Sequence, residues 1–154
     1  MGRVDRAITI AGVLGLPIHV TIMVLTHPVE PLLAYAIFLL LLLGFWQSIY
    51  SIVLTKIMHM MLHSAKPRLG HCVIIAGNLM LFLTLSVLFP RSIQNVYLFS
   101  MLMVLSVPYL ALIASRYLNC TIRECAMPIA VTNTIFIVLA LALHGVLATM
   151  VSSA

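Results

Sequence analysis

Charged residues are scarce in this sequence of 154 residues: only 7% are Asp, Glu, Lys or Arg, whereas 64% are hydrophobic. A soluble domain carries about 25% charged residues and needs them to cover its water-facing surface. The shortage of charge therefore excludes a soluble globular protein. Intrinsic disorder is excluded because it requires low hydrophobicity together with high net charge. The composition indicates a polytopic membrane protein.

Acidic residues are the scarcest of the charged types, and Asp5, Glu30 and Glu124 are the only three. None of them falls within a long apolar stretch. Paired carboxylates for acid–base catalysis, an acidic proton relay and a carboxylate-bridged metal centre are therefore excluded from the membrane interior. The sequence also lacks a phosphate-binding P-loop and a G-x-S-x-G nucleophile motif. We predict that the protein is not an enzyme.

Five apolar stretches are long enough to cross a membrane, since a helix needs about 20 residues to span a hydrocarbon core of about 30 Å. They show no period-2 alternation, so each is predicted to be a helix rather than a barrel strand. The sequence predicts an all-α bundle of five transmembrane helices in a single domain, 1–154. The expected spans are about 7–26, 32–55, 69–89, 92–115 and 126–150. The alternative is four spans plus one interfacial helix, which fits the charges less well.

The basic residues predict the orientation of the bundle. With five crossings, seven cations lie on one side: Arg3, Arg6, Lys56, Lys66, Arg68, Arg116 and Arg123. The other side has Arg91 and the acid Glu30. The positive-inside rule then places the N-terminus in the cytoplasm and the C-terminus outside. A bacterial inner membrane, a plasma membrane and an organelle membrane fit equally.

The same cations explain the net charge of +5. Because they are spread over short connections beside the membrane, we expect them to contact anionic lipid and predict no nucleic-acid partner. Cys72, Cys120 and Cys125 all fall on this predicted cytoplasmic side. Thiols there are kept reduced, so we expect three free thiols and no structural disulfide.

A metal site is one alternative for the histidines near the second connection. His59 and His63 are four residues apart and share a helix face, and His71 and Cys72 begin the next span at the same depth. Imidazole and thiolate suit zinc or copper. The spacing matches no closed zinc signature, however, and histidines at the headgroup level bound to water and phosphate are the simpler explanation.

Haem is a second alternative, for His19 and His144 within the first and last spans. Counted from the cytoplasmic side, their depths differ by about 9 Å, although a bis-histidine haem needs ligands that are nearly level. Buried, hydrogen-bonded histidines are the simpler explanation. We therefore predict no haem, zinc or copper cofactor and keep both sites as alternatives.

The remaining polar and small residues of the spans are expected to face neighbouring helices. Gln47, Asn78 and Asn133 can form interhelical hydrogen bonds. The small residues Ala11, Gly15 and Gly145 allow close backbone approach.

Three functions remain open. The first is a non-catalytic subunit or assembly partner of a larger membrane complex, with lipid and other membrane subunits or further copies of the chain as partners. Near-absence of extramembrane residues and of charge in the spans favours it. The second is a small oligomeric transporter or channel for a neutral or weakly charged solute. Its pathway is expected to be lined by Gln47, Asn78, His19, Asn133 and His144. The third is a haem- or metal-binding membrane protein that uses the histidines above.

Overall fold

The computed structural model describes residues 3–26, 29–62, 67–89 and 96–152. These residues form five α-helices and no strand. The helices are α1 (Arg3–Thr26), α2 (Leu32–Met61), α3 (Leu69–Leu83), α4 (Val96–Leu118) and α5 (Ile122–Ser152). Within the described residues, five helical segments are long and apolar enough to cross a membrane. The prediction of an all-α bundle with five spans is confirmed.

The ends of α2 and α3 are among those that differ from the predicted bounds. α2 continues past Thr55 to Met61, because Lys56 and His59 end the apolar run without breaking the helix, and both are exposed. α3 is regular only to Leu83 and then tightens into a 3₁₀ turn, Thr84–Leu88, as helix ends often do. The predicted start of the fourth span at 92 lies outside the described residues.

A capping box explains why α5 begins earlier than predicted. The Glu124 carboxylate accepts hydrogen bonds from the backbone N–H and the hydroxyl of Thr121, each at 2.8 Å. In return, the Glu124 N–H donates to the Thr121 hydroxyl at 3.2 Å. This reciprocal pairing satisfies backbone donors that an uncapped helix end leaves open. The helix therefore starts with polar residues that precede the apolar run.

α3 lies at the centre of the bundle and packs against α1, α2 and α4, while α5 packs against α4 and α2. Its side chains are the most completely enclosed of the fold, with Ile75, Ala76 and Leu79 fully buried. They join Leu54 of α2 and Leu110 of α4 in one core cluster. The position of α3 thus determines which faces of the other helices turn inward.

α1 and α3 cross at glycines. A Cβ atom on Gly77 would collide with the Gly12 carbonyl, and one on Gly15 would collide with the Gly77 carbonyl. Only residues without side chains allow the two backbones to approach so closely. Ala11, by contrast, is half-buried. Gly145 lies in open space, with nothing within 4 Å of its added Cβ.

Helix ends next to the predicted cytoplasmic cations contact one another at one end of the bundle. The Tyr117 hydroxyl of α4 lies 2.6 Å from the Thr9 hydroxyl and donates to the Asp5 carbonyl at 3.3 Å, both in α1. The Tyr117 ring also stacks on His71 near the start of α3, with centroids 5.8 Å apart. The starts of α1 and α3 and the end of α4 therefore lie at one end of the bundle, as predicted, and the charge rule alone says which end is cytoplasmic.

The structure corrects the expectation of three free thiols. A disulfide joins Cys120 and Cys125, and Cys72 is free and buried. The early start of α5 brings the two Cα atoms to 6.7 Å, within bridging range, whereas the prediction considered only the redox compartment. The charge rule places this end of the bundle in the cytoplasm. The disulfide is instead typical of an oxidising compartment, because cytosolic disulfides are rare.

Replacing Gly77 with Ala is expected to destabilise the bundle by about 1–3 kcal/mol, because the added methyl group forces α1 and α3 apart. Gly145→Ala is the matched control, since its methyl group meets no neighbour. Thermal unfolding of both variants in the same detergent measures the difference. Equal unfolding temperatures for the two variants would show that the helices do not cross at Gly77.

Candidate functional site

The two buried asparagines of the spans bond to neighbouring helices. Asn133 of α5 is 1% exposed. Its amide donates to the Met103 carbonyl at 2.7 Å and to the Ser106 hydroxyl at 3.1 Å, both in α4. Its carbonyl accepts the hydroxyl of Tyr50 in α2 at 2.7 Å. One side chain thereby ties three helices together and leaves no polar atom directed at a solute.

Asn78 does the same for the other half of the bundle. Its amide donates to the Ile8 carbonyl of α1 at 3.2 Å and to the Ile74 carbonyl at 2.9 Å. Its carbonyl accepts the Tyr109 hydroxyl of α4 at 3.1 Å. A Cβ on Gly12 would come within 2.8 Å of the Asn78 amide nitrogen. The glycine crossing therefore also makes room for this hydrogen bond.

Gln47 occupies a more open position. Its amide donates to the Val73 carbonyl of α3 over 3.4 Å, a long hydrogen bond. Together with Ser48 and Ser51 it lines a cavity of about 440 Å³. Three amide side chains were predicted to lie in the interior. Of these, Gln47 is the one that lines a cavity formed by the described residues.

His19 lies in the wall of a second cavity. Its Nδ1 is 2.9 Å from the Thr84 hydroxyl, and that hydroxyl donates its single hydrogen to the Met80 carbonyl at 3.0 Å. Thr84 must therefore accept from Nδ1–H, and Nε2 of the neutral ring is a hydrogen-bond acceptor. Among the described residues, His71 Nδ1 is fully buried and has no hydrogen-bond partner, whereas His19 Nε2 does not meet both of these conditions. His19 itself lines the cavity.

This cavity has a volume of about 420 Å³ and is almost entirely apolar. Helices α1, α2 and α4 contribute to it, together with the end of α3 and the following 3₁₀ turn. Trp46 and Phe99, both in its wall, form an edge-to-face pair with ring centroids 6.4 Å apart. His19 and Ser86 are its polar lining residues. Concave apolar sites with few polar groups are typical of small-molecule binding.

The proposed metal ligands do not converge in the described part of the chain. Cys72 is buried with its thiol against the Thr55 hydroxyl, whereas His71 stacks on Tyr117 and His59 is exposed. The described residues contain no group of three or more His, Cys, Asp or Glu suited to hold a metal ion. His63 lies outside the described residues. The spacing of these residues along the sequence predicts that they lie at one depth in the membrane. It does not predict the directions in which their side chains point.

The proposed haem ligands lie in different surroundings. His19 is buried and bonded to Thr84, whereas His144 is exposed on α5. α1 packs mainly against α3 and α2, and α5 packs mainly against α4 and α2. The two histidines therefore belong to helices without a substantial common interface.

Sequence reasoning missed the partners of these polar groups. Tyr50 and Tyr109 bind the two asparagines, and Thr84 fixes the ring of His19. A tyrosine or threonine within an apolar span was the available signal, because a buried hydroxyl requires a partner. Which residue supplies that partner depends on helix rotation, which the sequence does not give.

Asn133→Leu is expected to lower the free energy of unfolding by about 1–3 kcal/mol, because it leaves the fully buried Tyr50 hydroxyl without its acceptor. Thr134→Leu is the control on the next position, where the exposed hydroxyl bonds only to the Ala130 carbonyl of its own helix. Denaturant unfolding in mixed micelles compares the two. The same loss in both variants would rule out an interior role for the Asn133 amide.

Comparisons with known proteins assign no family. No protein-family model, no curated protein and no solved structure matches the chain. The five apolar helices identify a multi-pass membrane protein embedded in a lipid bilayer. A more specific function is therefore inferred from the cavities, the interior hydrogen bonds and the exposed helix faces.

Proposed function

We propose that the protein is a non-catalytic subunit or assembly partner of a larger membrane complex. The observation that carries the proposal is the outer segment of α5, residues 138–146, in which every residue is exposed or partly exposed. Its large side chains are exposed around the whole helix, among them Val138, Leu139, Leu143 and Val146. An apolar helix surface alone is suited to lipid, so the polar residue on this segment is decisive.

His144 is exposed on this outer segment. Histidines within membrane spans almost always face protein or a water-filled cavity, because lipid offers no hydrogen-bond partner. The proposed occupant is a transmembrane helix of a different chain that carries a polar side chain at the level of His144. Gly145, with open space beside it, allows such a helix to approach closely.

The interior supports a non-catalytic role. Asn78 and Asn133 are each 1% exposed, and both ends of their amide groups are bonded to neighbouring helices. Such groups are committed to holding the bundle together and have no atom directed at a substrate. The absence of any acid from the apolar runs supports the same role.

A small transporter or channel for a neutral or weakly charged solute is the second candidate. The cavity beside Gln47, with Ser48 and Ser51 in its wall, favours it. Asn78 and Asn133 were expected to line the same pathway but are enclosed among helices. The transport proposal therefore rests on one amide of the three.

Photocross-linking in native membranes tests the partner proposal. A photoreactive amino acid replaces Leu141, which shares the His144 face and is 39% exposed, or Ile49 of α2, which is 38% exposed. We expect Leu141 to yield one protein adduct of fixed mass, absent from Ile49, and the same partner to co-purify in constant stoichiometry.

His144→Leu is expected to weaken the Leu141 adduct severalfold, because the partner loses its hydrogen bond. Lipid adducts alone at both positions would contradict the proposal, and so would an adduct with twice the mass of the chain, which would identify a second copy.

A further inference from the structure

The cavity beside His19 has the chemistry of a ligand site. It is lined by aliphatic and aromatic side chains, among them Trp46, Leu98 and Phe99, together with the imidazole of His19. Its volume of about 420 Å³ falls within the range of small-molecule sites, about 300–1,000 Å³. None of the described residues that line it is charged at neutral pH. An anionic or cationic ligand would lose its hydration there without compensation, so the cavity selects a neutral molecule.

The hydrogen bonds of His19 determine which polar group that molecule must carry. Thr84 uses its hydrogen on the Met80 carbonyl, so it holds Nδ1 as the protonated nitrogen. The described lining offers a charged ring no counter-ion, which favours the neutral tautomer with Nε2 as an acceptor. Nε2 therefore pairs with a donor and repels the lone pairs of ketones, ethers and esters.

We propose that this cavity binds a neutral, membrane-soluble alcohol or phenol. The ligand hydroxyl donates to His19 Nε2, and the hydrocarbon body lies against Trp46 and Phe99. The Thr84 hydroxyl is a positioning group, because it fixes the ring tautomer and orientation without touching the ligand. The site is independent of the partner proposed for α5, since none of the described residues that line it comes from that helix.

Trp46 is the only tryptophan of the chain and lies in the cavity wall, so its fluorescence reports occupancy directly. The probe is bromododecanol with bromine at the far end of the chain, compared with its methyl ether. Bromine quenches tryptophan on contact, and the ether keeps the chain but lacks the hydroxyl hydrogen. Titrations use the full-length protein in phosphatidylcholine nanodiscs.

We expect saturable quenching by the alcohol at about three- to tenfold lower concentration than by the ether, the ratio that one hydrogen bond provides. His19→Leu is expected to abolish this preference, whereas Thr134→Leu, which changes an exposed residue of α5 outside the described cavity lining, is expected to retain it. Equal or non-saturable quenching of the wild-type protein by both compounds would overturn the proposal, and this comparison requires no variant to fold. An unchanged preference in His19→Leu would also overturn it.

Discussion

The hydrocarbon core of a membrane offers no hydrogen-bond partner, so each polar side chain in a span must find one within protein. In this bundle that constraint selects which helices lie together. Asn133 bonds α5 to α4 and α2, and Asn78 bonds α3 to α1 and α4. Each interhelical hydrogen bond contributes only about 1 kcal/mol. Their effect is specificity, because another helix rotation would leave the same groups unpaired in lipid.

The glycine crossing of α1 and α3 permits this arrangement. Gly12 admits the Asn78 amide, and Gly77 lets the two backbones meet. Because α1 then runs alongside α3 and the 3₁₀ turn, His19 comes within 2.9 Å of Thr84. The same contact that closes one half of the bundle thus orients the imidazole in the cavity wall. Packing and the proposed ligand site depend on one helix crossing.

The number and type of helices were predictable from the sequence, because the lengths of the apolar runs and the lack of charge within them leave no other membrane structure. The directions of side chains were not. Gly15 and Gly145 carry the same sequence signal, yet one lies against Gly77 and the other faces open space. Helix rotation decides between these outcomes, and it depends on contacts between distant residues.

Local chemistry explains the other differences. The capping pair Thr121 and Glu124 was readable from its spacing, yet hydropathy alone placed the helix start at the apolar run. The disulfide between Cys120 and Cys125 was missed because the prediction considered only the redox compartment, whereas the helix that begins at Ile122 brings the two residues close together.

The central claim is that the polar interior closes the bundle and does not line a water-filled pathway. Thr132 tests it directly, since its side chain is fully buried beside Asn133. Thr132→Cys, in a background with the native cysteines replaced by Ala, is exposed to a small water-soluble methanethiosulfonate reagent. Asn119→Cys, on the exposed turn after α4, is the positive control. Our account predicts complete labelling at position 119 and none at position 132. Labelling at comparable rates would contradict it and reveal a water route through the bundle.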